Sequence, residues 1–576
     1  MLWYNIENGK LNGKRGNDMA GREWYKEMVV YQIWPRSFCD GNGDGIGDLW
    51  GVLTKLDYIK SLGVNAIWFS PLYPSPNADY GYDISDYMDI HPDFGDLDVF
   101  KTVLKEAHRR GMRVFMDLVV NHTSDEHRWF VESRKSRDNP YHDYYYWRPA
   151  RYKNGKRLPP NNWTSQFEGG AWEYDENLDE YYLHLFAKKQ PDLNMDNPKV
   201  REEVKKILRF WLDMGVDGFR EDVITYISKT PGLPSSYPVL PAANGMQHYS
   251  NRPNVHKYLA EFKRDVLDGY DCFIVGESPL TNADIALKYV TEGKDKVMDE
   301  MIAFSHMEAD CVMTDYVARP FDLKKMKKAF TEWQVKLEGK GWNALYIENH
   351  DHPRIISRYG SEEYWKESGK MLAAMYMLQR GTPFIYQGQE IGMLNITLPR
   401  LEMYKDVMTK NAARIAAKVM TKNALLKLIN SRTRENARTP MQWSDRANAG
   451  FSTATPWFYV NGNYHTINVA AEERDPDSIL NFYRALVRFK KECPAAIYGT
   501  YRELMPESKK LYVYVREHEG RRVLVVCSFT NELVRFEPGD EFELDAGELV
   551  LANYEHNFVI ANGFTTRPYE LRVYLF

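Results

Sequence analysis

Gly215-Val216-Asp217-Gly218-Phe219-Arg220-Glu221-Asp222-Val223-Ile224 is the stretch on which the fold turns. It closes a helix and opens a strand. Gly215 and Gly218 give the backbone freedom of a tight helix-to-strand turn, while Phe219, Val223 and Ile224 have the apolar, β-branched character of a buried strand. Arg220 and Asp222 stand two residues apart and share a face. A guanidinium beside a buried carboxylate favours its ionised form. At the C-terminal end of a barrel strand, an ionised carboxylate is what attack on a sugar carbon requires. Alone, the segment reads equally well as an internal ion pair that serves only the fold.

Outward from it, strand-like runs recur at 28–35, 66–70, 113–120, 218–223, 272–277, 299–304, 344–349 and 383–387. Most precede helical patterns, at 97–110, 200–214, 255–267, 323–338 and 362–380. Alternation of this kind implies a parallel sheet, and eight units imply a closed (β/α)8 TIM barrel, of α/β class. The third unit departs from the pattern. About 75 residues separate Val120 from the next helix, where βα loops run to roughly 2–6. This insert, rich in Tyr, Trp, Asn, Gly and Pro, reads as a subdomain leaning over the C-terminal face of the barrel. From about residue 500 the texture changes to short alternating strands, an antiparallel β-sandwich. The expected parts are a leader (1–21), the barrel (22–122 and 197–497), the inserted subdomain (123–196) and the C-terminal sandwich (498–576).

Composition sets the outer limits. A chain of 576 residues exceeds one ordinary domain. A net charge of −5 gives no nucleic-acid footprint. No apolar run is long enough to cross a membrane, and residues 1–18 lack the apolar core of a signal peptide. Cys39, Cys272, Cys311, Cys493 and Cys527 are scattered and odd in number, which fits free thiols in a reducing compartment. The reading is a cytoplasmic enzyme, monomeric or weakly homo-oligomeric.

Polar groups end five of the apolar runs or the loops after them: Asp117 to His122, Arg220 with Asp222, Glu277, Glu348 to Asp351, and Asp79 to Asp83. They converge on the barrel mouth, where this architecture keeps its chemistry. Three carboxylates among them (Asp222, Glu277, Asp351) perturb one another's protonation, and a pair split between nucleophile and acid is the equipment of a retaining glycoside hydrolase.

These segments resemble the ordered motifs of the α-amylase superfamily, glycoside hydrolase family 13: Asp117–His122, Gly218–Ile224, Val275–Glu277 and Asn349–Asp351. Gln190-Pro191-Asp192-Leu193-Asn194 and Arg438-Thr439-Pro440-Met441-Gln442-Trp443 resemble its oligo-1,6-glucosidase subfamily, and the likeness runs from about Trp24 to the C-terminus. The resemblance implies Asp222 as nucleophile, Glu277 as acid and base, and Asp351 as the group that binds glucose hydroxyls and favours the transition state. It implies hydrogen bonds to the sugar from His122 and His350, an Arg220 that keeps Asp222 ionised, and a pocket closed by Asp79, Tyr82 and Arg434. Val223, next to the nucleophile, accompanies α-1,6 cleavage in the subfamily, as Ala accompanies α-1,4. The implied activity is exo-hydrolysis of isomaltose and isomalto-oligosaccharides. Departures at Ser278, Ser305 and His352, on the acceptor side, leave open a sucrose- or trehalose-6-phosphate-active hydrolase or a transglucosylase. His352 itself reads either as facing the leaving group or as a loop histidine. The run Tyr144–Trp147 reads as subdomain packing, and the basic stretch 405–427 as a solvated helix face.

One loop suggests a metal. Asp40, Asn42, Asp44, the Ile46 carbonyl and Asp48 place oxygens at alternate positions of a Gly-rich turn, which suits Ca²⁺. An EF-hand would need Glu at its twelfth position, which is Gly51. The resemblance points to structural Ca²⁺, or Mg²⁺, away from the chemistry; an Asx-rich turn without an ion is the other reading.

Overall fold

The computed structural model describes residues 24–167, 169–239, 243–312, 314–555 and 557–576. The expected leader lies outside them. Eight parallel strands form the central sheet: Val30–Ile33, Ala66–Phe69, Arg113–Leu118, Gly218–Glu221, Phe273–Glu277, Glu300–Ile302, Ala344–Leu345 and Thr382–Tyr386. Numbered in chain order they lie 6-5-4-3-2-1-8-7, and the sixth packs beside the seventh, which brings the ends together into a barrel. All eight expected strands are present; seven are shortened at one or both ends and the eighth is shifted one residue toward the N-terminus. The first, second, fourth and fifth are buried at every residue, as sheets covered on both faces must be.

Local chemistry fixes the helices that cover the sheet. Asp96 caps Leu97–Arg109 by accepting from the Asp98 and Val99 amides. Asn197 caps Pro198–Met214, which starts on a proline and stops at Gly215, φ 105°. Gly218 follows at φ 156°, and a Cβ there would meet the Phe273 carbonyl oxygen at 2.0 Å. Only glycine lets the fourth strand lie this close to the fifth. The register then pairs Asp117 with Arg220 and Arg220 with Val275, so three strands deliver their polar ends to one spot.

After the third strand the chain builds a short helix (Arg128–Ser133), a three-stranded antiparallel sheet of Trp147–Pro149, Glu180–Leu183 and Trp172–Asp175, and a hairpin of Arg151–Lys153 with Lys156–Leu158. Tyr144 to Trp147 are buried. Tyr146, Trp163 and Trp172 share an apolar cluster with Val223, Tyr226 and Tyr249, so the insert packs directly on the rim that follows the fourth strand.

The C-terminal part is antiparallel, with one five-stranded sheet (Thr500–Glu503, Leu511–His518, Arg521–Ser528, Leu571–Leu575, Glu548–Ala552) and a two-stranded one (Val534–Phe536, Phe564–Thr566). Alternate residues of the long strands serve two cores. Leu511, Val513 and Val515 face the second sheet, while Tyr512 and Tyr514 join the barrel's core. Arg516 is buried and donates to the carbonyls of Leu378, Ala496, Ile497 and Gly499. Among the described residues, no helix is long and apolar enough to cross a membrane.

Candidate active site

A cavity of about 280 Å³ opens at the C-terminal rim, small for a ligand pocket (roughly 300–1,000 Å³). Asp79, Tyr82, His122, Asp222, Val223, Glu277, Asp351 and Arg434 line it. His350 and Arg220 lie just beneath. The expected catalytic and sugar-binding residues therefore come to this one place, whereas Glu348 turns away to pair with buried Arg354 at 2.6 Å and Asp83 ties down its own loop.

Arg220 is the hub. Its Nη1 lies 2.6 Å from Asp222 Oδ1 and 2.7 Å from Asp117 Oδ1, and its Nη2 lies 2.9 Å from Glu277 Oε1. The Val223 amide donates to the other Glu277 oxygen at 2.9 Å. One guanidinium thus serves three buried carboxylates. Burial pushes Asp222 well above the ordinary carboxylate range, and Glu277 and Asp117 add to that, against the pull of Arg220. Arg220 remains the counter-charge that favours ionised Asp222, but sequence spacing revealed the guanidinium and not the number of carboxylates that share it. Asp117 is raised by the same causes to about 6. A cluster of one cation and three carboxylates in a low dielectric retains a proton.

The floor is aromatic. The His350 ring lies between Tyr82 (centroids 5.3 Å apart, planes 8°) and Trp34 (5.3 Å, 17°). The side-chain amide of Gln32 donates to His350 Nδ1 at 2.8 Å, so Nε2 carries the ring proton, 3.0 Å from Asp351 Oδ2. Burial holds His350 near 4 and His122 near 4, so both imidazoles are neutral at neutral pH.

One end of the cavity is closed by a chain of ion pairs. Arg434 reaches Asp79 at 2.7 Å, Asp351 at 3.0 Å and Asp406 at 2.7 Å, and Arg438 reaches Asp351 at 2.9 Å. Burial alone would raise Asp351, yet His350, Arg434 and Arg438 outweigh it and hold the carboxyl well below its usual range. Asp79, with burial dominant over the same two arginines, rises to about 6. The Gln190 amide, from the insert, donates to Asp79 at 3.1 Å and lies 3.1 Å from His122.

Two of these partners are absent from the sequence reading. Gln190 was noted only as part of a motif. Asp406 lies in the stretch read as a solvated helix face: its basic residues Lys405, Lys410, Arg414, Lys418, Lys422 and Lys427 are exposed as expected, but the stretch forms two helices, Val407–Ala416 and Lys422–Arg432, and its inner residues Asp406, Thr409, Leu425 and Ile429 are buried. Asp406 caps the first helix by accepting from Thr409, and Met408 lines the cavity. An Asp three residues before Thr at a helix start was the available signal.

The opposite wall comes from the segment after the sixth strand. Phe304, Met307, Glu308, Thr314 and Asp315 line it, together with Pro279 and His352.

The Asp40–Asp48 loop lies elsewhere. Gly43 and Gly45, at φ 85° and 94°, fold it tightly. Asp40 accepts from Gly43 and Gly45, Asp44 from Ile46, and Asp48 from Gly41, Asn42 and Gly51. Among the described residues, no three His, Cys, Asp or Glu side chains converge as a metal cage. The donor set remains one of hard oxygens: carboxylates with spare lone pairs, the Asn42 amide and the Ile46 carbonyl. That chemistry fits Ca²⁺.

Two carboxylates sharing one guanidinium on the C-terminal rim of an eight-stranded barrel, beside a pocket of sugar size, are the equipment of a glycoside hydrolase. The chain belongs to the alpha-amylase family: residues 32–499 match "Alpha amylase, catalytic domain". It is similar to an oligo-1,6-glucosidase of Parageobacillus thermoglucosidasius, 48% identical over 560 residues that cover 96% of this chain and 99% of the relative. Among solved structures it is similar to a trehalose-6-phosphate hydrolase of Bacillus licheniformis (40% identical, TM-score 0.90, 96% of this chain and 99% of that one). It is also similar to an isomaltulose synthase of Klebsiella sp. LX3 (38%, TM-score 0.91, 96% and 100%).

Proposed function

We propose that the chain is a retaining, exo-acting α-glucosidase that cleaves α-1,6 bonds at the non-reducing end of isomaltose and short isomalto-oligosaccharides. The observation that carries this reading is the pocket's closed end, where Arg434 ties together Asp79, Asp351 and Asp406. A closed end admits one terminal glucose and leaves the second sugar at the mouth.

Asp222 is the nucleophile and Glu277 the acid. Both touch the same guanidinium, one on each terminal nitrogen, a close placement of the kind a retaining pair uses, whereas an inverting pair stands farther apart to admit its extra water. Ionised Asp222 attacks the anomeric carbon while Glu277 passes its proton to the departing oxygen. A water then gives a proton back to Glu277 and displaces Asp222 from the glucosyl ester. Asp351, held ionised, binds ring hydroxyls and favours the cationic transition state. His122 and His350, with Tyr82 beneath, position the same ring. Val223 shapes the site of the second sugar, a contact that shifts discrimination by roughly 1–3 kcal/mol.

Charge favours a neutral leaving group over a phosphorylated one. Among the described lining residues the sole Lys or Arg is Arg434, which is fully engaged, whereas Glu308 and Asp315 stand on the far wall. Ca²⁺ held by Asp40, Asn42, Asp44, the Ile46 carbonyl and Asp48 would pin the loop that precedes the first helix, with no part in the chemistry.

The test is glucose release by purified protein from isomaltose, maltose, sucrose and trehalose-6-phosphate at equal concentrations, with Asp222→Asn as control. Isomaltose is expected in front. Maltose or trehalose-6-phosphate in front would overturn the assignment of the bond, and activity in the control would overturn the mechanism.

A further inference from the structure

The inserted subdomain brings to the cavity one polar side chain that the chemistry above does not use. Gln166 lines the pocket and is half-buried. Its Nε2 donates to the Tyr249 hydroxyl at 2.7 Å. The other end of the amide, Oε1, accepts no hydrogen bond among the described residues, and it is not one of the polar atoms shut inside the protein. The oxygen is therefore an accessible acceptor on a side chain that lines the cavity. Pockets fix the orientation of a ligand through a few such groups.

The amide stands beside Val223. Tyr249, to which it is tied, shares an apolar cluster with Tyr226 and Val223, and the Tyr226 and Tyr249 rings pack edge to face with centroids 5.1 Å apart. The next residue, Phe167, serves the closed end, where the Arg434 guanidinium lies 5.2 Å from the centre of its ring. Two consecutive residues thus divide the pocket: Phe167 backs the terminal glucose, and Gln166 meets the side on which Val223 shapes the place of the second sugar.

The backbone beneath the amide is fixed as well. The Gln166 amide nitrogen donates to the Leu185 carbonyl at 2.7 Å, Ser165 Oγ to the Phe186 carbonyl at 2.7 Å, and the Phe167 amide nitrogen to Ser165 Oγ at 3.0 Å. A group already anchored at both its backbone and its far end loses little freedom when a ligand binds.

We propose that Gln166 is a specificity-determining residue for the leaving group: Oε1 accepts a hydrogen bond from a hydroxyl of the departing sugar, and Tyr249 is the positioning residue that holds the amide toward it. The amide turned over would offer its N–H to the same hydroxyl, which accepts as well as donates. The ligand class is a hydroxylated aglycone, as opposed to an aryl or alkyl one. The inference rests on the α-glucosidase reading above.

The experiment compares kcat/KM for isomaltose and for p-nitrophenyl α-glucoside, whose aglycone has no hydroxyl, in wild type, Gln166→Met and Tyr249→Phe. Gln166→Met keeps the length of the side chain and removes its polar atoms. It is expected to lower the isomaltose value about tenfold and the aryl value by no more than about twofold, the worth of one hydrogen bond. Tyr249→Phe keeps the ring in its cluster and releases the amide, and it lowers the isomaltose-to-aryl ratio in the same direction by a smaller factor. A ratio unchanged in Gln166→Met overturns the proposal, and so does an equal fall for both substrates, which is the mark of a merely structural role. A ratio moved by Gln166→Met but not by Tyr249→Phe overturns the part given to Tyr249. If Gln166→Met does not fold, the ratio for Tyr249→Phe decides. Failure of the α-glucosidase reading would show separately, as a wild type that prefers another disaccharide, and the ratio is then taken with that sugar.

Discussion

The amide of Val223 donates to Glu277 Oε2 at 2.9 Å, and to do so Val223 sits at φ 35°, ψ 38°. A β-branched residue in the left-handed region stores roughly 1–3 kcal/mol of strain. The conformation aims the amide at the carboxyl and the side chain at the pocket. Val223→Ala keeps the amide and shortens the side chain. It is expected to move the isomaltose-to-maltose ratio of kcat/KM toward maltose by roughly tenfold or more, read by glucose release from each sugar. An unmoved ratio would remove Val223 from the specificity argument.

Asp406 touches the pocket only through Arg434 and Arg438. Asp406→Asn removes one counter-charge from two buried guanidinium groups. Loss of this kind at a glucose-holding end weakens ground and transition states alike. The KM for isomaltose should rise by about tenfold while kcat changes little, and the melting temperature should fall by several degrees, since a buried pair broken on one side costs up to roughly 3–5 kcal/mol. Steady-state kinetics and calorimetry check both.

The acid limb of kcat/KM should have its midpoint near pH 6. Asp79 and Asp117 both protonate at about 6 because burial raises them. As pH falls through that value, Asp79 loses its charge and releases Arg434. His122 and His350, near 4, stay neutral across this range and contribute no limb there. A midpoint close to 4 would contradict the assignment to Asp79 and Asp117.

Glu221 points away from the chemistry. It is buried, its Oε2 has no hydrogen-bond partner among the described residues, and burial followed by Asp299 raises it to about 8. The unfolded chain ionises this carboxyl near pH 4.3. Stability is therefore lost as pH rises from about 4.3 to about 8, by an amount on the order of a few kcal/mol. Glu221→Met should raise the melting temperature at pH 8, and the gain should shrink toward pH 5. Thermal melts at the two pH values settle it.

If the Asp40–Asp48 loop holds Ca²⁺, chelation lowers the melting temperature by a few degrees, as loss of any ligand of the native state does, and added Ca²⁺ restores it. Asp44→Ala should abolish the response. A melt indifferent to chelator would leave the loop as an Asx-rich turn.

How far the sequence reached depended on the range of the interactions. The eight strands were legible because each belongs to a short, mostly apolar run, most of them followed by a helical pattern, and Gly215 and Gly218 announced the fourth. The rim was legible because polar residues ending apolar strands have few places to go. Asp406 and Gln190 were not singled out, since their roles lie in pairs 28 and 111 residues apart, with Arg434 and Asp79. The crowding of carboxylates around Arg220 was not read for the same reason. Asp117 and Glu277 reach Arg220 from two other strands, and no spacing within 215–224 discloses them.

The closed end described above has a consequence for traffic. A blind pocket has one door, so the departing sugar leaves first, and the glucose behind it stays esterified until something enters the vacated place. Water is one visitor. A second sugar is another, and at high saccharide concentration the same door that lets out a product lets in a customer for the bound glucose. Chain lengthening would then follow from the shape of the pocket alone, with no residue devoted to it.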